Sequence, residues 1–221
     1  MNLWDAIEAR KSVRAYTDRK IEGEAEEKLR TEIAASNLES GLAMQLCLNE
    51  PRAFSGFMAR YGRFRNVSNY IALVGKTGAD LEEKCGYYGE KIVLRATQLG
   101  LSTCWVGGTY KKNQATARVE PGEKLALVIA IGYAAVAGVP RKTKPVEALS
   151  RVEGEMPEWF LRGMQAVQLA PTAINQQKFL FELRDNAVRA VALPGFYARV
   201  DLGIAKCHFE VGAGAGNWRW A

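Results

Sequence analysis

This chain of 221 residues has few of the residues that usually bind metal ions: it contains one histidine and no closely spaced pair of cysteines. The one histidine, His208, lies in an apolar helical segment where such a residue is more often structural, and no two cysteines form a Cys-x-x-Cys pair. A zinc site therefore has poor support. The size of the chain and the scattered positions of its cysteines also argue against a disulfide framework, so we expect reduced and mostly packed thiols in a cytoplasmic protein. The cysteines are Cys47, Cys85, Cys104 and Cys207.

Long apolar runs are also missing. The longest run, residues 125–137, is interrupted by Gly132 and Tyr133 and is too short to span a bilayer. The first ten residues carry acids and no cleavable apolar block, which predicts no signal peptide. We therefore expect no membrane association.

The net charge of +6 permits nucleic-acid binding but does not by itself indicate it. The basic residues are not gathered into one run, and no nucleic-acid motif is present, so we expect no nucleic-acid partner. Most of these cations are explained by a solvated surface, and a few could hold a phosphate-bearing ligand. A basic protein of helices and sheet that binds nucleic acid or another partner stays open as an alternative.

Hydrophobic periodicity and turn residues predict an alternation of helices and strands, with a buried strand at 125–131. Residues 51–69 are predicted to be irregular, and 146–156 to be a linker. The predicted helices are an opening one that contains Leu3 and Ile7, then about 21–36, 86–99, 159–169 and 201–211. The other predicted strands are 43–48, 70–74, 179–183 and 188–193.

A basic segment near the start, Arg10-Lys-Ser-Val-Arg14, is the first candidate for ligand binding. In an extended segment Arg10, Ser12 and Arg14 would project to one side. Two guanidiniums and a hydroxyl there make a good anion clamp, since the fork of arginine matches phosphate oxygens. A plain basic surface strand explains the same residues equally well.

A glycine pair follows the predicted helix in the middle of the chain. The stretch Leu101-Ser-Thr-Cys-Trp-Val-Gly-Gly108 comes after Gly100, a natural helix stop. Adjacent glycines let a backbone approach a flat ligand at close range. A glycine-rich turn is the alternative.

A polar loop lies between a helix and a strand in Leu169-Ala-Pro-Thr-Ala-Ile-Asn-Gln-Gln-Lys-Phe-Leu-Phe181. Pro171 ends the helix, because it pushes the residue before it out of the α region. The loop's Thr, Asn and Gln side chains suit a planar ligand rich in carbonyls and ring nitrogens. From the loop alone, an ordinary turn is favoured, in which Asn and Thr bond their own backbone.

Helical segments from the two ends of the chain share a weak pattern. Lys28-Leu-Arg-Thr31 is echoed by Phe160-Leu-Arg-Gly163, and Tyr88-Gly-Glu-Lys-Ile92 by Leu202-Gly-Ile-Ala-Lys206. If this is a true repeat, residues 1–221 are one domain of two half-domains, about 1–145 and 146–221. The halves would be related like the subunits of a homodimer fused into one chain.

Together these motifs resemble those of the nitroreductase family of FMN-dependent oxidoreductases. The matching segments are Arg10 to Arg14, Leu99 to Gly108 and Ala170 to Gln177, and Asp201 to Glu210 resembles a divergent branch in which one chain is similar to the usual dimer. The resemblance implies an α+β fold with a central, mostly antiparallel sheet flanked by helices. FMN would lie in a cleft between two pseudo-symmetric halves.

The resemblance also implies which residues bind FMN, while no acid–base side chain is obligatory. The phosphate would be held by Arg10, Lys11 and Ser12, with Arg141 and Lys144, and Arg14 would lie near the N1/O2 edge. The ring would be passed by Trp105, Val106, Gly107 and Gly108, and its pyrimidine side lined by Pro171, Thr172 and Asn175. The resemblance fades at Gln176-Gln-Lys178.

The function implied is hydride transfer from NAD(P)H through the flavin to nitroaromatic, quinone-like or flavin acceptors in a ping-pong cycle. A flavin-binding module for storage or sensing, without turnover, is the alternative. We expect a small-molecule acceptor as partner, and a monomer that resembles the family dimer or a weak homodimer.

Overall fold

The computed structural model describes residues 1–216 and 218–221, and the chain divides into two compact units. The unit called here the antiparallel unit comprises Ala9–Leu81 and Lys91–Pro140. The mixed unit comprises Met1–Glu8, Glu82–Glu90 and Arg141–Ala221. These two units are defined by contacts, whereas the predicted half-domains, about 1–145 and 146–221, are defined by a sequence repeat. The two divisions of the chain differ, so the half-domains stay a prediction.

The antiparallel unit contains a four-stranded sheet. Its strands are β1 (Gln45–Cys47), β2 (Tyr70–Lys76), β3 (Ser102–Val106) and β4 (Glu123–Gly132), in the order β1-β2-β4-β3. All three pairings are antiparallel. The apolar run that predicts a buried strand is β4, which lies between β2 and β3 and is buried from Leu127 onward. The predicted α+β class and antiparallel sheet are confirmed.

The mixed unit contains a second four-stranded sheet, whose strands follow the sequence order. They are β5 (Ser150–Val152), β6 (Phe179–Arg184), β7 (Ala187–Ala192) and β8 (Arg219–Trp220). The pair β6–β7 is antiparallel, whereas β5–β6 and β7–β8 are parallel. The prediction of a linker at 146–156 is therefore wrong, because this stretch supplies an edge strand. With only three residues, β5 is too short for periodicity to reveal it.

Seven α-helices occur in the described residues, and none is long and apolar enough to cross a membrane. The region 51–69, predicted to be irregular, includes one of them and a 3-10 turn at Pro51–Phe54. The helices are α1 (Leu3–Ala9), α2 (Glu24–Ser40), α3 (Phe57–Tyr61), α4 (Leu81–Gln98), α5 (Val146–Leu149), α6 (Glu158–Gln168) and α7 (Ala198–Ala213). Two further 3-10 turns are Lys112–Gln114 and Ala173–Asn175.

Helices α4 and α7 cross at two glycines in the mixed unit. A Cβ at Gly86 would collide with the carbonyl oxygen of Val200, and a Cβ at Gly203 with that of Glu83. Val200 lies one helical turn before Gly203, and Glu83 lies one helical turn before Gly86. The two contacts are therefore equivalent, as expected for helices related by a two-fold axis. In the structure Gly203 of α7 lies opposite Gly86 of α4. The sequence pattern instead aligns Gly203 with Gly89.

The order of elements also supports a repeat. When α3 and the 3-10 turns are set aside, a helix, two antiparallel strands, a helix and a strand occur as α2-β1-β2-α4-β3 and again as α6-β6-β7-α7-β8. The echoed segments of the sequence pattern lie in the corresponding helices, α2 with α6 and α4 with α7. The weak sequence pattern therefore coincides with a recurring arrangement.

His208 and the cysteines are structural in this fold. His208 is fully buried in the mixed unit, where its Nε2 lies 2.9 Å from Glu90 Oε1 and its Nδ1 lies 3.0 Å from the carbonyl oxygen of Ala166. A carbonyl can only accept, so Nδ1 carries a proton. The pair thereby ties α7 to both α4 and α6. All four cysteines are buried, and none forms a disulfide within the described residues, so the prediction of packed thiols is confirmed.

Candidate functional site

In the antiparallel unit the segment Arg10 to Tyr16 lies beside β3 at Ser12 and Val13, whereas Ala15 bridges to Arg65 and Tyr16 to Ala134. Ser12 pairs with Thr103 in parallel, and the N–H of Val13 donates to the carbonyl of Thr103 at 3.0 Å. Arg10 is buried and Arg14 is exposed, so two side chains that an extended segment would project to one side differ in their exposure. That Arg10, Ser12 and Arg14 form one anion clamp stays a prediction.

Positive charge collects beside β3 in this segment. Arg10 is only 3 % exposed, whereas Arg14 is exposed and places its guanidinium 6.0 Å from the centre of the Phe64 ring. Burial raises the pKa of the Cys104 thiol, and the nearby guanidiniums of Arg14 and Arg10 oppose this rise by favouring the thiolate. The same field would stabilise a bound anion.

The connector that follows β4 fixes the position of this segment. The N–H of Thr17 donates to the carbonyl of Tyr133 at 2.8 Å. A Cβ at Gly138 would lie 2.5 Å from Cβ of Lys11 and 3.0 Å from the carbonyl oxygen of Ser12, so only glycine allows this close approach. Gly138 was missed in the sequence, where it is one glycine in a basic connector.

The glycine pair lies where β3 ends. Trp105 is half-buried and pairs with Ile129, and β3 ends at Val106. A Cβ at Gly108 would meet no protein atom within 4 Å, so protein packing does not require a glycine there. The structure thus places the arginine segment beside β3 at Thr103, and residues 105–108 at the end of the same strand.

In the mixed unit, the polar loop donates two hydrogen bonds to the carboxylate of Asp201. The N–H of Ala173 donates to Asp201 Oδ1 at 2.9 Å, and Gln176 Nε2 donates to Asp201 Oδ2 at 2.8 Å. Burial raises the pKa of Asp201 to about 6, against these two hydrogen bonds, which lower it. Sequence reasoning missed the role of this carboxylate, because an acid in the first turn of a helix is common and only the fold brings this one to the loop.

The loop is also joined to residues 141–144. Lys144 Nζ donates to the carbonyls of Gln176 and Gln177, each at 3.0 Å, and its backbone N–H donates to Gln177 Oε1 at 2.9 Å. Asn175 Nδ2 donates to the carbonyl of Lys142 at 2.9 Å, and Arg141 donates to that of Leu169. The two glutamines at which the family resemblance fades are therefore the ones that fix the loop.

In the mixed unit, the residues predicted to bind a ligand are brought together by hydrogen bonds of the loop itself. Thr172 Oγ1 accepts from the N–H of Gln177 at 3.2 Å, and Pro171 is buried. Ile174, Asn175 and Gln177 have φ of 47°, 56° and 47°, which non-glycine residues rarely adopt. That Arg141, Lys144, Pro171, Thr172 and Asn175 contact a ligand stays a prediction.

Fold and site define an α+β protein with an anion-attracting segment beside an antiparallel sheet. The chain belongs to the nitroreductase family, since the family model described as "Putative TM nitroreductase" matches residues 2–213. This family is one of oxidoreductases. No curated protein matches the chain.

Solved structures have the same fold. A nitroreductase structure from Thermotoga maritima has a TM-score of 0.66 at 24 % identity, and the match covers 96 % of this chain and 83 % of that one. A nitroreductase in complex with FMN from Desulfovibrio desulfuricans has a TM-score of 0.53 at 24 % identity, over 71 % and 98 % of the two chains. A structure from Bacteroides thetaiotaomicron, described as an NADH dehydrogenase/NAD(P)H nitroreductase, has a TM-score of 0.52 at 20 % identity, over 66 % and 95 %. The expected nitroreductase-like fold is confirmed.

Proposed function

We propose that this protein is an FMN-dependent oxidoreductase. It moves hydride from NAD(P)H to nitroaromatic, quinone-like or flavin acceptors in a ping-pong cycle. Family membership supports the general class, and the names of relatives support the finer assignment, since one is a complex with FMN and another is described as an NAD(P)H nitroreductase. The observation that carries the proposal is the Arg10 to Arg14 segment, fixed beside β3 with one buried guanidinium.

The residues of the antiparallel unit fit FMN. Arg10, Lys11 and Ser12 offer two cations and a hydroxyl to a phosphate dianion, the group that guanidinium forks match best. Arg14 offers positive charge to the electron-rich N1/O2 edge of the ring. Trp105 and Val106 lead to Gly107 and Gly108, whose backbone can approach a flat ring.

Bound FMN would supply the hydride chemistry, and the protein would position the ring and tune its charge. Arg14 would hold negative charge at the ring edge, and a backbone N–H of the glycine pair would donate to N5. Arg141, Lys144, Pro171, Thr172 and Asn175 are assigned to the same cofactor by the family resemblance alone.

The absorbance spectrum of the purified protein tests the proposal. We expect a yellow protein whose flavin absorbance bleaches anaerobically when NADH or NADPH is added. A colourless protein that also ignores added FMN would refute any flavin function. Flavin absorbance that neither nucleotide bleaches would instead favour storage or sensing.

Arg10→Ala tests the assignment of the phosphate site. We expect an FMN affinity roughly 10- to 100-fold weaker in a fluorescence titration, because one charge-assisted contact is lost. Arg30→Ala is the matched control, since Arg30 is exposed on α2 and pairs with Glu26 at 2.8 Å. Equal affinities of the two variants would contradict the assignment.

A further inference from the structure

Two stretches of the antiparallel unit contain no aspartate or glutamate. They are residues 51–79 and 91–119. Both are rich in arginine and lysine, so their positive charges lack acidic neighbours in sequence. This separation of charge is not visible in the overall net charge of the chain.

The fold packs parts of these stretches against each other. The N–H of Lys111 donates to the carbonyl of Ala53 at 2.7 Å, and Tyr110 stacks on Phe54 with ring centres 6.2 Å apart. A Cβ at Gly62 would lie 2.9 Å from the side chain of Thr109. The 3-10 turn Pro51–Phe54, α3, and residues 109–112 therefore form one continuous surface.

Two aromatic rings stand exposed on this surface. Phe57 is 77 % exposed and Tyr61 is 75 % exposed, whereas Ala59 of the same helix is buried. Phe57, Arg60 and Tyr61 occupy positions i, i+3 and i+4, so they share one helical face. Large apolar side chains gathered at a surface typically mark a binding site.

The cations around these rings are not neutralised by the protein. Within residues 1–216 and 218–221, neither Arg52, Arg60, Arg63 nor Lys112 forms an ion pair with a carboxylate, although all four are exposed. By contrast, the nearby Arg118 pairs with Glu120. We call Arg52, Phe57, Arg60, Tyr61, Arg63 and Lys112 the basic aromatic surface.

The basic aromatic surface is connected to the arginine segment beside β3 by backbone hydrogen bonds of Arg65. The N–H of Arg65 donates to the carbonyl of Arg14 at 2.8 Å, and the N–H of Tyr16 donates to that of Arg65 at 3.2 Å. Phe64 lies under the guanidinium of Arg14. A ligand on the surface would therefore lie in the same unit as the proposed phosphate site of FMN and be joined to it by a short backbone pairing.

We propose that the basic aromatic surface binds the adenosine 2′-phosphate end of a pyridine nucleotide and so selects NADPH over NADH. Adenine stacks on Phe57 or Tyr61, and the phosphate dianion lies between Arg60, Arg63 and Lys112. NADH has a hydroxyl in place of this phosphate and gains nothing from these cations. The proposal rests on the proposed function, and it names the donor for the same site.

Single-stranded RNA would satisfy the same chemistry of rings and cations. The surface offers two rings on one five-residue helix, which matches a single nucleotide better than the run of several nucleotides that strand-binding proteins cover. The dinucleotide is therefore the favoured ligand, and RNA is an outcome of the test.

The kinetic experiment compares the two donors on the FMN-loaded full chain. We expect kcat/KM for NADPH to exceed that for NADH at least roughly tenfold. Arg60→Ala should lower kcat/KM for NADPH about tenfold and leave that for NADH within about twofold. Arg118→Ala removes the same charge from the same unit and should change neither. Equal kcat/KM values for the two donors, unchanged by Arg60→Ala, would overturn the proposal.

A binding experiment separates this proposal from the flavin function. Calorimetry with 2′,5′-ADP and with 5′-AMP needs no turnover, and we expect the 2′-phosphate to tighten binding about tenfold in a way that Arg60→Ala abolishes. If the protein takes up no FMN but keeps this difference, the proposed function fails and the surface assignment stands. If it takes up FMN and binds both nucleotides equally, only the surface assignment fails. Binding of an RNA oligonucleotide that depends on Arg60 and is tighter than that of 2′,5′-ADP would also overturn it.

Discussion

Asp201 is a buried carboxylate whose two oxygens are both engaged by the polar loop. It is 2 % exposed and accepts from the backbone of Ala173 and from the side chain of Gln176. Gln176 in turn donates to the carbonyl of Phe196 at 2.6 Å. The strained conformations of Ile174 and Gln177 can persist only where such contacts fix the backbone.

Asp201→Asn should remove a pH dependence of the free energy of unfolding. Burial raises the pKa of Asp201 from 3.8 to about 6, so the folded chain holds this proton more tightly than the unfolded chain. The contribution of Asp201 to stability is therefore full below its unfolded pKa and is lost as pH rises through about 6. The loss amounts to roughly 3 kcal/mol. Urea unfolding at pH 4.5 and pH 7 should show wild type losing more stability than the variant over this range.

Asp185→Asn is the matched control for this measurement. Asp185 is exposed in the turn between β6 and β7 at φ of 52°, a conformation that asparagine tolerates. Its variant should keep the wild-type pH profile. Parallel profiles of Asp201→Asn and wild type would contradict the assigned role of burial.

The arginine segment and Asp201 show which functional residues a sequence reveals. Arg10, Ser12 and Arg14 follow one another at short spacing, so a local pattern selects them as candidates, and the structure pairs Ser12 with Thr103 of β3. Asp201 acts on residues about 25 positions earlier, and only the tertiary fold brings them within hydrogen-bond distance. Its role depends on a long-range contact, which no local pattern encodes.

At the scale of elements, the crossing of α4 and α7 depends on two glycines. Gly203→Ala should destabilise the protein by about 3 kcal/mol, because the new Cβ collides with a helix carbonyl that cannot rotate away. Gly86→Ala should have a similar effect, since its Cβ meets the backbone of the opposite helix in the same way. Urea unfolding of each variant measures the loss.

Gly108→Ala is the control for a glycine that packing does not require. A Cβ there meets no protein atom within 4 Å, so its effect on stability should stay within about 0.5 kcal/mol. If Gly203→Ala lowered the free energy of unfolding no more than Gly108→Ala does, the predicted close packing of α4 against α7 would be contradicted. The two helical variants should also be non-additive, since either one already separates the helices.

The length of an element decides how well the sequence predicts it. Helices α2, α4, α6 and α7 and the strands β2, β4, β6 and β7 are long enough to show apolar periodicity or continuous apolar runs, and all eight were predicted to within a few residues. The elements α5, β5 and β8 have two to four residues each, which is too short for periodicity, and the two strands are defined by their pairing with β6 and β7. Sequence reasoning missed these three elements, and it also missed α3 and β3, which have five residues each.

At the scale of the whole molecule, the mixed unit is discontinuous in sequence. Residues 82–90 belong to it, although they lie far from its main stretch, Arg141–Ala221. They supply several partners of α7: the Gly86 crossing, an ion pair of Glu83 with Lys206 at 2.6 Å, and Glu90, which lies opposite His208. The hydroxyl of Tyr87 donates to Glu210 in the same interface.

A fragment of residues 146–221, the predicted second half, should therefore not fold by itself. It leaves His208 without Glu90, and a buried polar group that loses its hydrogen-bond partner costs about 1–3 kcal/mol, a sizeable part of the stability of a small domain. The fragment also exposes the apolar face of α7 that residues 82–90 cover. Circular dichroism and amide NMR dispersion should show an unfolded chain, and adding a peptide of residues 79–98 should restore helical signal. The same peptide with Gly86→Ala should not, because it keeps Glu90 but cannot approach α7. A fragment that unfolds cooperatively without the peptide would show that the sequence repeat, rather than the contact unit, is the independent folding element.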